Sequence, residues 1–201
     1  MIKPYYDKKH STTLTLFSKA GFAEDWELER CSETEGIQMR DLPPFLRTLL
    51  ITDGTVTKHL EAYFWEPVNV KPLAQSLKQT ESEIPWLHLQ ADETVLTREV
   101  ELVGEQSKHH YATAFSIVCP TLIPAPFRQA LLDGEIGIGK LIRESGMESY
   151  REVLEIGVTD SPLSKGSEQS QAHVYRTYRI LLAGKAAILI TERFPLAIFS
   201  S

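Results

Sequence analysis

Little in this 201-residue chain marks it out at once, and each scarcity excludes a class. The two cysteines, Cys31 and Cys119, stand 88 positions apart with no Cys-x-x-Cys spacing, so they cannot build a disulfide framework. Both are expected to be reduced thiols of a cytoplasmic protein. Cys119 follows an apolar run (Phe115, Ile117, Val118) and reads as core. The opening segment, MIKPYYDKKHSTTLTLF, has cations but no apolar stretch, so no signal peptide is expected. No apolar run approaches the roughly 18 residues of a membrane span. Basic residues are also short: 21 Lys and Arg stand against 27 Asp and Glu, a formal net charge of −6. A phosphate backbone needs a broad cationic footprint, so nucleic acid is excluded as a partner. The six histidines are scattered. The one adjacent pair, His109-His110, would point to opposite faces of a strand, so no metal is expected.

What is present is an ordinary share of apolar residues, 42%, with 24% charged, enough to fill the core of one soluble domain. A phosphate-loop lookalike, GEIGIGKL at Gly134–Leu141, has Leu141 where a magnesium-holding hydroxyl is needed. It also follows the helix-like PAPFRQALLD instead of a strand. It reads as a glycine-rich turn between two short helices, whose N–H groups could face a small anion.

Residues 1–40 are polar and weakly periodic and read as an N-terminal extension or flap. A single domain follows over 41–201. Pro43 and Pro44 open a short amphipathic helix. After an Asp-Gly turn, Thr55 can cap a second helix carrying Val56, Leu60 and Phe64. From residue 67 the dominant period becomes two. It predicts strands over 67–77, 94–103, 110–119, 149–158, 173–183 and 186–194, with short helices near 124–133 and 137–145. Helices first, then a mainly antiparallel six-stranded sheet with helices inserted, is the α+β class.

Strand parity isolates two ionisable residues. In 94–103, Arg98 shares a face with Leu96, Val100 and Leu102. In 186–194, Glu192 shares a face with Ile188, Ile190 and Phe194. An inward arginine and an inward glutamate are costly unless paired. They could pair with each other, or a strand end could let one reach water. Alternatively they line a closed pocket, with Arg98 on a carboxylate and Glu192 on a hydroxyl or a proton. In YRTYRI, Arg176 and Arg179 fall on opposite faces, so only one can share Glu192's space, and the period does not say which.

At these positions the sequence resembles the chorismate pyruvate-lyase family, over roughly residues 41–200. Four patches carry the resemblance in order: FLRTLLITDGTVTKHLE, LTREVELVG, GEIGIGKLI and YRTYRILLAGKAAILITERF. The resemblance implies an antiparallel sheet with helices around a solvent-shielded cavity. It also implies cofactor-independent elimination of pyruvate from chorismate to give 4-hydroxybenzoate. By the same resemblance Arg98 would anchor the ring carboxylate together with the backbone N–H of Ile138. Glu192 would bind the ring hydroxyl, and Val56 would line the pocket. For the reaction itself, Glu192 is also the expected proton acceptor, and Arg176 or Arg179 is expected to meet the second carboxylate. Ser116 stands where ubiquinone-pathway members carry a further arginine, and Arg176 with Arg179 is closer to the family's divergent branch.

The effector-binding domains of GntR-type repressors share the lyase architecture, so a non-catalytic domain binding an aromatic carboxylate is the alternative. Residues 1–40 are too short and too weakly patterned for the DNA-binding module that precedes such domains. The partners expected are therefore a small-molecule substrate and its product. Neither the oligomeric state nor the product's fate, quinone or secondary metabolite, is written in the sequence. The first 40 residues could cover the pocket.

Overall fold

In the computed structural model of the protein, the alternating segments pair into one antiparallel sheet of six strands, with short helices on one face. The structure describes residues 2–6, 8, 17, 20–21, 25–28, 36–134, 137–162 and 170–200. His10, Cys31, the Glu135-Ile136 part of the glycine turn and most of the loop expected over 159–171 lie outside these residues.

A two-residue ladder joins β1 (Glu27–Leu28) to β2 (Ile37–Gln38). The two prolines then act as their chemistry requires. Pro43 holds an extended ψ of 135° before its successor, and Pro44 occupies the first turn of α1 (Pro44–Ile51), where its missing N–H costs nothing. Leu46, Leu49 and Leu50 recur at three and four residues and are fully buried. Burial of each is worth about 1.5–3 kcal/mol. α2 (Val56–Phe64) buries Val56 and Leu60 and ends on Trp65, which takes the left-handed conformation at φ 57°.

The main sheet comprises β3 (Val68–Gln79), β4 (Thr94–Gly104), β5 (His110–Val118), β6 (Ser149–Pro162), β7 (Ser170–Leu182) and β8 (Lys185–Pro195). Their spatial order is β3-β4-β5-β8-β7-β6. α3 (Ala125–Leu132) and α4 (Ile138–Ser145) interrupt the strands after β5, and α5 (Leu196–Phe199) closes the chain. The six strands and the α+β class agree with the alternation in the sequence.

The register carries the face assignment from strand to strand. Arg98 lies opposite Ser116, Ser116 opposite Ile190, and Ile190 opposite Tyr178. One residue pair along, Val100, Ala114, Glu192 and Arg176 form the neighbouring row. This face packs against α1, α2, α3 and α4. The other face buries Val95, Phe115, Ile117 and Leu189 under the short helical turn at Pro85–Leu87. Ile2 and Tyr5 pack there as well, and the Tyr5 hydroxyl lies 2.7 Å from Thr191 Oγ1.

The β4–β5 hairpin is tied to α2 through Glu66. Its carboxylate accepts hydrogen bonds from the N–H groups of Gln106 (2.8 Å) and Ser107 (3.0 Å), from the Ser107 hydroxyl (2.6 Å) and from the Tyr111 phenol. These donors hold its carboxyl down at about 2. Gly104 is required beside it, because a Cβ there would stand 2.4 Å from Glu66 Oε1.

Candidate active site

The face carrying Arg98 and Glu192 encloses a cavity of about 380 Å³, within the range of pockets for small organic ligands. Its floor is the sheet, contributed by Val100, Ala114, Ile180 and Ile190 among others. Its roof has two parts. One is the α1–α2 turn with the start of α2, Gly54 to Lys58; the other is the first turns of α4, Gly137 to Arg143.

Arg98 lines the cavity and is only 6% exposed; burial pulls its guanidinium down from its ordinary value. An arginine nonetheless remains charged. Glu192 lines the same cavity from β8, two strands away and one pleat along. The two are therefore set apart across one space and not paired with each other as neighbours. Val56 and Ile138 both line it, so four of the residues singled out from the sequence meet at one cavity. Ile138 is the first residue of α4 and follows an extended Gly137 (ψ 153°). Its N–H is among those a helix leaves unsatisfied at its start, where a carboxylate is favoured.

Glu192 is held from two sides. Arg176, fully buried, lies directly opposite it on β7 and donates from Nε to Oε2 at 2.8 Å. Tyr178 donates its phenol proton to Oε1 at 3.1 Å. Burial, and next the field of Glu192, push the Tyr178 phenol well up, so it stays a donor. Arg176 also lies over the Tyr178 ring, 4.7 Å from its centroid, and donates from Nη1 to the carbonyls of Thr52 (2.6 Å) and Leu50 (3.4 Å). These oxygens belong to the end of α1 and the turn after it, so one guanidinium links Glu192 to the cavity roof.

The structure does not bring the other arginine of YRTYRI to this space. Arg179 faces the opposite side of the sheet, where it pairs with Glu152 and donates to the carbonyl of Trp86 at 3.1 Å. Arg176 shares the Glu192 face yet is not among the cavity-lining residues; its Nε and Nη1 go to Glu192 and the turn, and its Nη2 is buried without a hydrogen-bond partner among the described residues. Ser116 lines the cavity as an uncharged neighbour of Arg98. Of the first 40 residues, none of those described lines the cavity, and Ile2 and Tyr5 lie on the far face of the sheet. The idea that this segment covers the pocket finds no support among them.

Sequence reasoning missed four cations. Lys58, Lys140, Arg143 and Arg151 line the cavity together with Arg98, against one carboxylate among the described residues, that of Glu192. Lys58 is paired with Glu61 (2.6 Å) and Lys140 lies 3.9 Å from Glu144. Arg143 and Arg151 have no carboxylate partner among the described residues. Among the described residues the lining of this cavity is thus cationic, although the chain as a whole is acidic. Cys119, by contrast, is buried away from it on the other face, its thiol pushed up to about 12 by burial.

The arrangement can grip a small aromatic or alicyclic carboxylate at Arg98 and a hydroxyl at Glu192, between apolar walls. Comparison with known proteins gives a family and a fold. Residues 50–200 match the family described as chorismate pyruvate-lyase Rv2949c-like. The chain is 28% identical over 166 residues to the chorismate pyruvate-lyase of Mycobacterium leprae, covering 81% of this chain and 79% of that one. With the chorismate pyruvate-lyase of Mycobacterium tuberculosis it shares 27% over 169 residues, 81% of this chain and 85% of the other. Among solved structures, PhnF from Mycobacterium smegmatis superposes with a TM-score of 0.57 at 13% identity, over 72% of this chain and 65% of that one. The effector domain of PhnF gives 0.55 at 13%, over 72% and 90%. These two likenesses are of fold.

Proposed function

The chain belongs to the chorismate pyruvate-lyase Rv2949c-like family, and from that premise we propose that it eliminates pyruvate from chorismate, leaving 4-hydroxybenzoate, without a cofactor. The observation that carries this reading is the opposition of Arg98 and Glu192 across one cavity, with apolar side chains between them.

The reaction asks little covalent chemistry of a protein. The ring carbon–oxygen bond to the enolpyruvyl group breaks, and the neighbouring ring carbon, which keeps its hydroxyl, gives up its hydrogen as a proton. The departing enolate takes one proton at its methylene carbon and becomes pyruvate. Aromatisation of the ring supplies the driving force, so the work left is positioning and charge stabilisation.

In this reading Arg98 and the N–H of Ile138 hold the ring carboxylate, a bidentate guanidinium contact reinforced by the helix start. Glu192 accepts a hydrogen bond from the ring hydroxyl, which brings its carboxylate beside the carbon that loses a proton. Arg176 and Tyr178 fix both oxygens of Glu192, so this group need not reorganise as charge moves. Val56 closes the apolar wall.

The test is to incubate purified protein with chorismate and assay both products. Equimolar pyruvate and 4-hydroxybenzoate is the expected result. Saturable binding of 4-hydroxybenzoate with no turnover of chorismate would overturn it. That result would favour a ligand-binding domain, the reading to which the fold likeness to an effector domain lends weight.

A further inference from the structure

The substrate of the proposed reaction has two carboxylates and its aromatic product has one, so a second anion-binding residue is required that the product does not use. We infer that this residue is Arg151, on β6 at the far side of the cavity from Arg98; the inference rests on the lyase reading above.

The other candidates are accounted for. Ser116, in register with Arg98, has no charge to offer. Arg176 does not line the cavity; its Nε and Nη1 are given to Glu192 and the turn, and its remaining Nη2 is buried without a hydrogen-bond partner among the described residues. Arg179 faces the other side of the sheet and is committed to Glu152. Lys58 and Lys140 have glutamates of their own helices beside them. Arg151 lines the cavity on the same sheet face as Ile180, its register partner. Its Nη1 donates to the carbonyl of Asp53 in the cavity roof. Its Nε is buried and has no hydrogen-bond partner among the described residues. A buried donor left unsatisfied costs free energy that an incoming carboxylate recovers. Arg143 of α4, exposed and also without a carboxylate partner among the described residues, adds positive charge to the lining.

Spacing fits a dianion. The sheet order sets Arg98 on β4 and Arg151 on β6 four strand spacings apart, roughly 19 Å between backbones. Both side chains line the one cavity between these strands, so a small dicarboxylate lying across it can meet one arginine at each end. The remaining donors of Arg151, beyond the one given to Asp53, hold the enolpyruvyl carboxylate at the end of the cavity away from Arg98. Once the bond breaks, the aromatic product stays with Arg98 and Glu192, and pyruvate with Arg151.

The experiment compares Arg151→Gln with the unaltered protein in three measurements: steady-state turnover of chorismate, affinity for 4-hydroxybenzoate by titration, and melting temperature. Loss of a charged hydrogen bond to substrate alone should raise KM for chorismate about tenfold or more while 4-hydroxybenzoate affinity stays within about twofold. Arg151→Lys, which keeps the charge but loses the planar fork, should fall between the two and serves if the glutamine variant does not fold. An unchanged KM would overturn the inference. So would an equal loss for both ligands, which would assign Arg151 to holding the Asp53 turn. Unaltered protein that fails to consume chorismate would instead bring down the lyase reading itself.

Discussion

Arg176 on β7 and Glu192 on β8 are directly opposed in register, with the guanidinium Nε 2.8 Å from Oε2 and both residues buried. A bonded pair this deep gains little net stability, because desolvation offsets the attraction, but breaking it from one side strands a charge. Arg176→Met should therefore destabilise the protein by about 3–5 kcal/mol. The double variant Arg176→Met/Glu192→Leu should recover most of that and still be inactive. Urea denaturation of the two variants checks the first claim. A single variant as stable as the parent would contradict it.

In the proposed reaction Glu192 and Arg98 would grip opposite ends of the substrate. Glu192→Gln keeps the shape but removes the negative charge and with it the proposed proton acceptor, and Arg98→Ala removes the proposed carboxylate anchor. Each should lower kcat/KM for chorismate by about two orders of magnitude or more. Arg98→Ala should also abolish measurable 4-hydroxybenzoate binding. Near-parental turnover in both would refute the assignment.

Ile138 allows a backbone hydrogen bond to be deleted without disturbing the helix it begins. It is the first residue of α4, a position that tolerates proline, and Gly137 before it already has the extended backbone a proline demands. Ile138→Pro should fold normally and bind 4-hydroxybenzoate about tenfold more weakly or worse, the cost of one hydrogen bond to a charged group. Ile138→Val, which trims the side chain and keeps the N–H, should bind nearly as the parent does. Equal affinities for the proline variant and the parent would remove this N–H from the site.

How far these residues were legible depended on whether strict alternation survived. β4 and β8 keep their period through Arg98 and Glu192, so parity alone put both on the apolar face. Parity also said that one of Arg176 and Arg179 joins Glu192, but choosing between them requires the inter-strand register, which pairs Arg176 with Glu192. Arg151 was hidden for a different reason. Counting by twos from it gives Val153, Glu155 and Gly157, which reads as a polar face. A bulge between Val153 and Glu155 shifts the strand, so the face continues instead through Ile156, opposite Arg176, and Val158. Lys58, Lys140 and Arg143 lie on helix surfaces, where cations ordinarily face water, and only the tertiary fold turns them over a cavity. The β1–β2 ladder of two residues each is too short to carry a period at all.

Glu66 gives the stability of the fold a pH signature. Its carboxyl sits at about 2 in the folded protein, against about 4.3 for an unrestrained glutamate. A depressed value stabilises the folded state fully above the unfolded pKa, and that contribution is lost as pH falls from about 4 towards about 2. Melting temperatures recorded between pH 6 and roughly pH 2.5 should thus fall more for the parent than for Glu66→Gln, and the two curves should converge in acid. Parallel curves would show that the hairpin donors do not favour the ionised carboxylate.

The cavity roof is fastened by main-chain atoms: Arg176 takes the carbonyl of Thr52, and Arg151 that of the next residue, Asp53. Every amino acid at position 53 would present the same carbonyl, and the Asp53 side chain itself is exposed. What the two strands dictate is the path of the turn and not its spelling. Position 53 is therefore where the turn beside this cavity can be rewritten, or a reporter attached. The frame that aligns the two arginines would remain in place.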